Sequence, residues 1–68
     1  MKSKILEMLK QNLYLVWHND GVFKDRIQHG FFIIMKAVRM TANDLKITEQ
    51  DIVNTVSVYR MGDILRSL

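Results

Sequence analysis

Gly30-Phe31-Phe32-Ile33-Ile34-Met35-Lys36-Ala37-Val38-Arg39-Met40 decides how this chain folds, because it places five consecutive apolar residues, 31–35, inside a segment of helical period. Phe23, Ile27, Phe31, Ile34 and Val38 recur at three- and four-residue spacings and form one stripe of an α-helix. Successive side chains on a helix turn by about 100°, so an unbroken apolar run points around the whole axis. One side of this helix then buries against its neighbours. The opposite side, led by Phe32, Ile33 and Met40 and joined by Met35, is expected to remain exposed and to act as an interface. Gly30, just before the run, lets a second backbone approach closely. The competing arrangement wraps the central helix from both sides, which asks more surface of its short neighbours than they offer.

Two further periodic segments flank this one. Upstream, residues 4–17 carry Ile5, Leu9, Leu13 and Val16 on one helix face, widened by Leu6, Met8 and Trp17, with Ser3 as N-cap and Glu7, Lys10 and Gln11 on the polar side. His18-Asn19-Asp20-Gly21 ends that helix and starts the next. The same Asp-Gly pair between Leu13-Tyr14-Leu15-Val16-Trp17 and Val22-Phe23 also fits a β-hairpin turn, an alternative in which residues 13–23 are strands. The central helix spans residues 22–45 and is expected to bend or break near Thr41-Ala42-Asn43-Asp44, where side chains compete for backbone hydrogen bonds. Downstream, Thr48 and Asp51 form a capping box, with Ile47 and Ile52 as its hydrophobic staple. Ile52, Val56 and Tyr59 then share one face, Met61, Leu65 and Leu68 a neighbouring one, and Gly62 is a candidate interruption. The β-branched residues within 53–59 also suit a strand, which would have to pair with another chain.

These segments predict an all-α fold: a small three-helix domain comprising residues 1–68 and forming a homodimer through the central helix. A chain of 68 residues makes one domain and buries only about 60% of its unfolded surface, so a shared two-fold core is the economical way to enlarge it. Composition agrees with a folded chain, at 49% hydrophobic and 25% charged residues with no proline. There is no cysteine, which excludes disulfides, a thiol nucleophile and Cys-ligated metal sites, and fits a reducing cytoplasm. Met1-Lys2-Ser3-Lys4 leads into a segment interrupted by Glu7, Lys10, Gln11 and Asn12, unlike a signal peptide. The uncharged stretch at residues 27–35 is far short of the roughly 20 apolar residues a spanning helix needs. A cytoplasmic location without membrane attachment is the expectation.

The residues argue for binding and against catalysis. Ser3, Ser57 and Ser67 lack a glycine-framed nucleophile elbow, and three scattered glycines make no phosphate loop. His18 and His29 have no third ligand at usable spacing, so no metal and no cofactor is expected. Ala42-Asn43-Asp44-Leu45-Lys46-Ile47-Thr48 followed by Ile52 resembles the helix-turn-helix pattern of DNA-binding proteins over about twenty residues. It departs from that pattern at Lys46, where glycine is usual, and at Glu49-Gln50-Asp51, whose carboxylates a duplex repels. Lys36 and Arg39, three apart, are the candidate phosphate contacts, although the net charge of +3 is mixed along the chain. Trp17, with Tyr14 and Tyr59, is a candidate interface anchor. The expectation is a small non-catalytic regulatory or adaptor protein that binds a larger protein through Gly30, Phe32, Ile33, Met35, Met40 and Trp17. The alternative is a small dimeric helix-turn-helix-like transcriptional regulator.

Overall fold

A computed structural model describes residues 2–19 and 30–68, and every regular element among them is helical. The helices are α1 (Lys2–Asn19), α2 (Gly30–Leu45), α3 (Glu49–Thr55) and α4 (Val58–Ser67). Among the described residues the all-α class holds, with four helices in place of the expected three. Residues 13–17 of the hairpin alternative lie within α1, and residues 53–59 form no strand. The turn at Asp20-Gly21 and residues 22–29 of the central segment, with Phe23, Ile27 and His29, lie outside the described residues.

The periodicity of α1 reads through to its packing. Ile5, Leu9, Leu13 and Val16 are all buried, with Leu6 and Trp17 packed at the edge of the same cluster. Ser3 lies inside the first turn, because the helix already begins at Lys2. Asn12, one position from Leu13, is buried as well. Its Nδ2 donates to Thr41 Oγ1 at 2.9 Å, and also reaches Asp44 Oδ2 at 3.3 Å. Thr41 Oγ1 in turn donates to the Ala37 carbonyl at 2.7 Å. No buried side-chain nitrogen or oxygen among the described residues lacks a partner. This network explains why α2 runs unbroken through Thr41-Ala42-Asn43-Asp44: the Thr41 hydroxyl adds a bond one turn back and leaves the backbone ladder intact.

The ends of α2 and α3 are set by local chemistry. Lys46 has φ 56°, and the Ile47 N–H donates to the Ala42 carbonyl at 3.0 Å, the six-to-one bond of a Schellman motif. The capping box follows at once: Asp51 N–H donates to Thr48 Oγ1 at 3.1 Å, and Thr48 N–H donates to Asp51 Oδ2 at 3.2 Å. Ile47 and Ile52 both join the core cluster.

The third segment divides at Val56 and Ser57, whose backbones are extended (φ −128°, ψ 114° and φ −63°, ψ 152°). Ser57 Oγ accepts from the Arg60 N–H at 3.2 Å and so caps a new helix. Two extended residues reset the helical phase. Ile52 and Val56 point inward as their spacing predicts, but Tyr59, which an unbroken helix would place with them, is 80% exposed. Met61 and Leu65 are buried, and Gly62 sits inside α4 without interrupting it.

Two stability measurements check this account. Thr41→Val keeps the shape and removes the hydroxyl, so the buried Asn12 amide loses its better acceptor; urea denaturation should show a loss of about 1–3 kcal/mol. Adding Asn12→Leu should recover a large part of that loss, because both polar groups are then gone. Lys46→Gly should stabilise the chain by about 0.5–1 kcal/mol, since only glycine adopts a positive φ without steric cost.

Candidate functional site

The inner face of α2 is made by Ile33, Ile34, Ala37, Val38, Thr41 and Ala42. It includes three small residues that hydrophobic patterning underweights, and it is rotated from the predicted stripe. Ile33, expected on the outer side, is fully buried at 0% exposure. Phe31, expected in the core, is 64% exposed. Ala37 and Thr41 are fully buried on the same side as Ile33, so this face lies inward and Phe31 is turned out.

Of the other expected interface residues, Phe32 (60%) and Met35 (44%) are exposed. Gly30 and Met40 are half-buried, and Met40 packs against the core. Trp17 is also half-buried against the core, with its ring centroid 4.3 Å from that of His18; Tyr14 lies 4.1 Å from the same imidazole. Trp17 is therefore a core-edge residue. The geometry brings together Phe32 and Met35, with Phe31 added, and does not bring Trp17, Met40 or Ile33 to the same surface.

Phe31 and Phe32 meet edge to face, with centroids 6.3 Å apart and planes at 78°. Met35 stands one turn beyond Phe32. At these exposures the three side chains present roughly 300 Å² of apolar surface, the size of the largest patches on typical monomers, which are often functional. Phe31 also forms one wall of a shallow groove between α2 and α4, with Gly30 and Ile34 on its own helix and Val58, Tyr59, Gly62, Leu65 and Arg66 opposite. The patch thus continues from α2 onto α4 over Val58 and Tyr59. The sequence offered Tyr59 as an interface anchor but placed it on the face of Ile52 and Val56; the phase reset at Val56 and Ser57 turns it outward beside Val58.

Lys36 and Arg39, the candidate phosphate contacts, are both exposed on the outer side of α2. Arg39 lines a second depression with Lys46, Thr48 and Glu49, at the junction that resembles a helix-turn-helix. There the left-handed backbone usual for glycine is adopted by Lys46. Helix α3 then opens with exposed Glu49, Gln50 and Asp51, and Asp51 is engaged in the capping box. Among the described residues no three His, Asp or Glu side chains are grouped to hold a metal ion, and no helix is long and apolar enough to cross a membrane.

The described residues form an all-helical fold with an exposed aromatic patch. No family model matches the chain, no curated protein matches it in sequence, and no solved structure matches it in fold.

Gly62 tests how the groove is built. It has no positive φ, and a Cβ added there would make only ordinary contact, 3.7 Å from Arg66 Nη2. Gly62→Ala should therefore raise stability by about 1 kcal/mol in thermal or urea unfolding, because nothing within the fold offsets the cost of glycine inside a helix.

Proposed function

We propose that this chain is a non-catalytic protein-binding domain of the regulatory or adaptor kind, with the outer face of α2 as its contact surface. One observation carries this: Phe31, Phe32 and Met35 stand together, each at least 44% exposed, on a helix whose inner face is already filled. Exposing three large apolar side chains side by side gives up the burial each of them offers, about 1.5–3 kcal/mol for a fully buried side chain. A partner that covers them recovers this. The continuation over Val58 and Tyr59 supplies an amphipathic aromatic of the kind that anchors interfaces.

A second copy of the chain is one candidate for that partner. A two-fold interface needs a single self-complementary patch, and this patch lies largely on one helix. Duplex DNA is less well matched, because the helix that the helix-turn-helix resemblance would place in the groove begins with two exposed carboxylates.

Phe32→Asp combined with Met35→Asp tests the proposal. Both positions are exposed, so circular dichroism should remain helical, while affinity for a protein partner should fall at least tenfold, as expected for a charge placed in a desolvated contact. A folded double variant that keeps its partners at full affinity sinks the proposed surface. Salt-sensitive retention on duplex DNA, abolished by Lys36→Glu with Arg39→Glu, would move the function to nucleic acid.

A further inference from the structure

We infer that the occupant of this face is a second copy of the chain, joined two-fold so that the Phe32 ring of each copy enters the groove between α2 and α4 of the other. This rests on the protein-binding function proposed above and names the partner and the way it docks.

The face carries a projection and a recess side by side. Phe32 is 60% exposed and stands edge to face with Phe31, which is itself a wall of the groove. The groove has a volume of about 280 Å³, and about 150 Å³ is enough to hold a benzene ring. Gly30 and Gly62 line it without side chains. A Cβ added at Gly30 would meet Leu65 Cδ2 at 3.6 Å, and one added at Gly62 would meet Arg66 Nη2 at 3.7 Å. Both are ordinary contact distances, so the packing described around the two glycines has room for a methyl group. A two-fold axis exchanges projection and recess when it passes midway between them, where Phe31 lies. The Phe31 rings of the two copies then meet at the centre.

Area and charge both suit a second copy. Phe31, Phe32, Met35, Val58 and Tyr59 are between 44% and 80% exposed. Together they present roughly 500 Å² of mostly apolar surface. Two copies thus cover roughly 1,000 Å² through these residues alone, the lower bound of a specific interface, and the lining of the groove adds to it. None of the five is charged, so copies that meet here set no like charges opposite one another, on a chain with ten Lys and Arg against seven Asp and Glu. The cations beside the patch are engaged within their own chain: Arg66 pairs with Asp63 at 3.4 Å, and Lys36 has an interaction of its own. Arg60 lines depressions shared with Lys10 and Lys2 on the α1 side instead. A partner of other sequence would have to bring both an aromatic projection and a recess at matching spacing. This chain already holds both, and a two-fold pair uses each of them twice and closes.

Sedimentation equilibrium of the full chain tests the inference. The mass should rise from 8.0 kDa toward twice that value, with half-association at about 10–100 μM. Phe32→Asp should hold the chain at 8.0 kDa throughout. Phe32→Ala, with circular dichroism on each variant, repeats that test without a new charge. Gly62→Ala should weaken association at least tenfold while raising the melting temperature at concentrations where the chain is monomeric. An equimolar mixture of Phe32→Asp and Gly62→Ala chains should associate more tightly than either alone, because a mixed pair keeps one intact contact. An unaltered chain that stays at 8.0 kDa up to about 1 mM overturns the second copy as occupant. The protein-binding function is then judged separately, by the partner affinity of the Phe32 and Met35 double variant. A dimer that survives both Phe32 changes overturns this face as the site of association. A dimer that is lost with Phe32→Ala but keeps its strength in Gly62→Ala overturns insertion into the groove.

Discussion

Asn12 and Thr41 lie buried between α1 and α2, and their hydrogen bond, 2.9 Å long, fixes the register of one helix on the other. Apolar contacts alone tolerate sliding, because one leucine covers a neighbouring apolar surface about as well as another. A buried amide does not. Displaced by a turn, the Asn12 side chain would lose the Thr41 hydroxyl and leave a donor unsatisfied, at a cost of about 1–3 kcal/mol. The Thr41 hydroxyl is itself held by the Ala37 carbonyl, so the acceptor is already oriented when Asn12 arrives. The rotation of α2 about its own axis follows from this pairing, and so does everything α2 shows to solvent.

With Thr41 directed at α1, the same side of α2 carries Ala37 and Ile33 inward, and Phe32, Met35 and Arg39 are left on the opposite side. A second local event completes the exposed surface. Extended Val56 and Ser57, the latter capping a new helix, end α3 after seven residues and restart the chain with Tyr59 outward and Met61 inward. The groove between α2 and α4 exists because Gly30 and Gly62 face it without side chains and Phe31 and Tyr59 stand at its sides. Packing of the core and the shape of the proposed contact surface are therefore consequences of the same few residues.

Much of this was legible in the residues themselves. The α1 stripe of Ile5, Leu9, Leu13 and Val16 is buried as its spacing predicts, and the Thr48–Asp51 capping box is present with both hydrogen bonds. Met61 and Leu65 are likewise inside. The expectation of an exposed apolar side on the central helix holds for Phe32 and Met35 and fails for Ile33 and Phe31, which exchange places. A pattern built on large apolar residues gives no weight to Ala37, Thr41 and Ala42, yet those are the residues that allow close approach. Asn12 counted only among the polar residues that make the segment unlike a signal peptide, because nothing in a single helix reveals that a partner hydroxyl waits 29 positions away.

Helical class, the core face of α1 and the start of α3 were determined by the sequence alone, since periodicity and capping depend on residues within a turn or two of each other. The helix count and the phase of α4 turned on Ser57, whose capping role is local but competes with continuation of α3. Which residues of α2 meet solvent was decided only by tertiary structure. A run of five apolar residues is compatible with every rotation of its helix, and only the long-range pairing of Asn12 with Thr41, together with the small residues beside it, selects one.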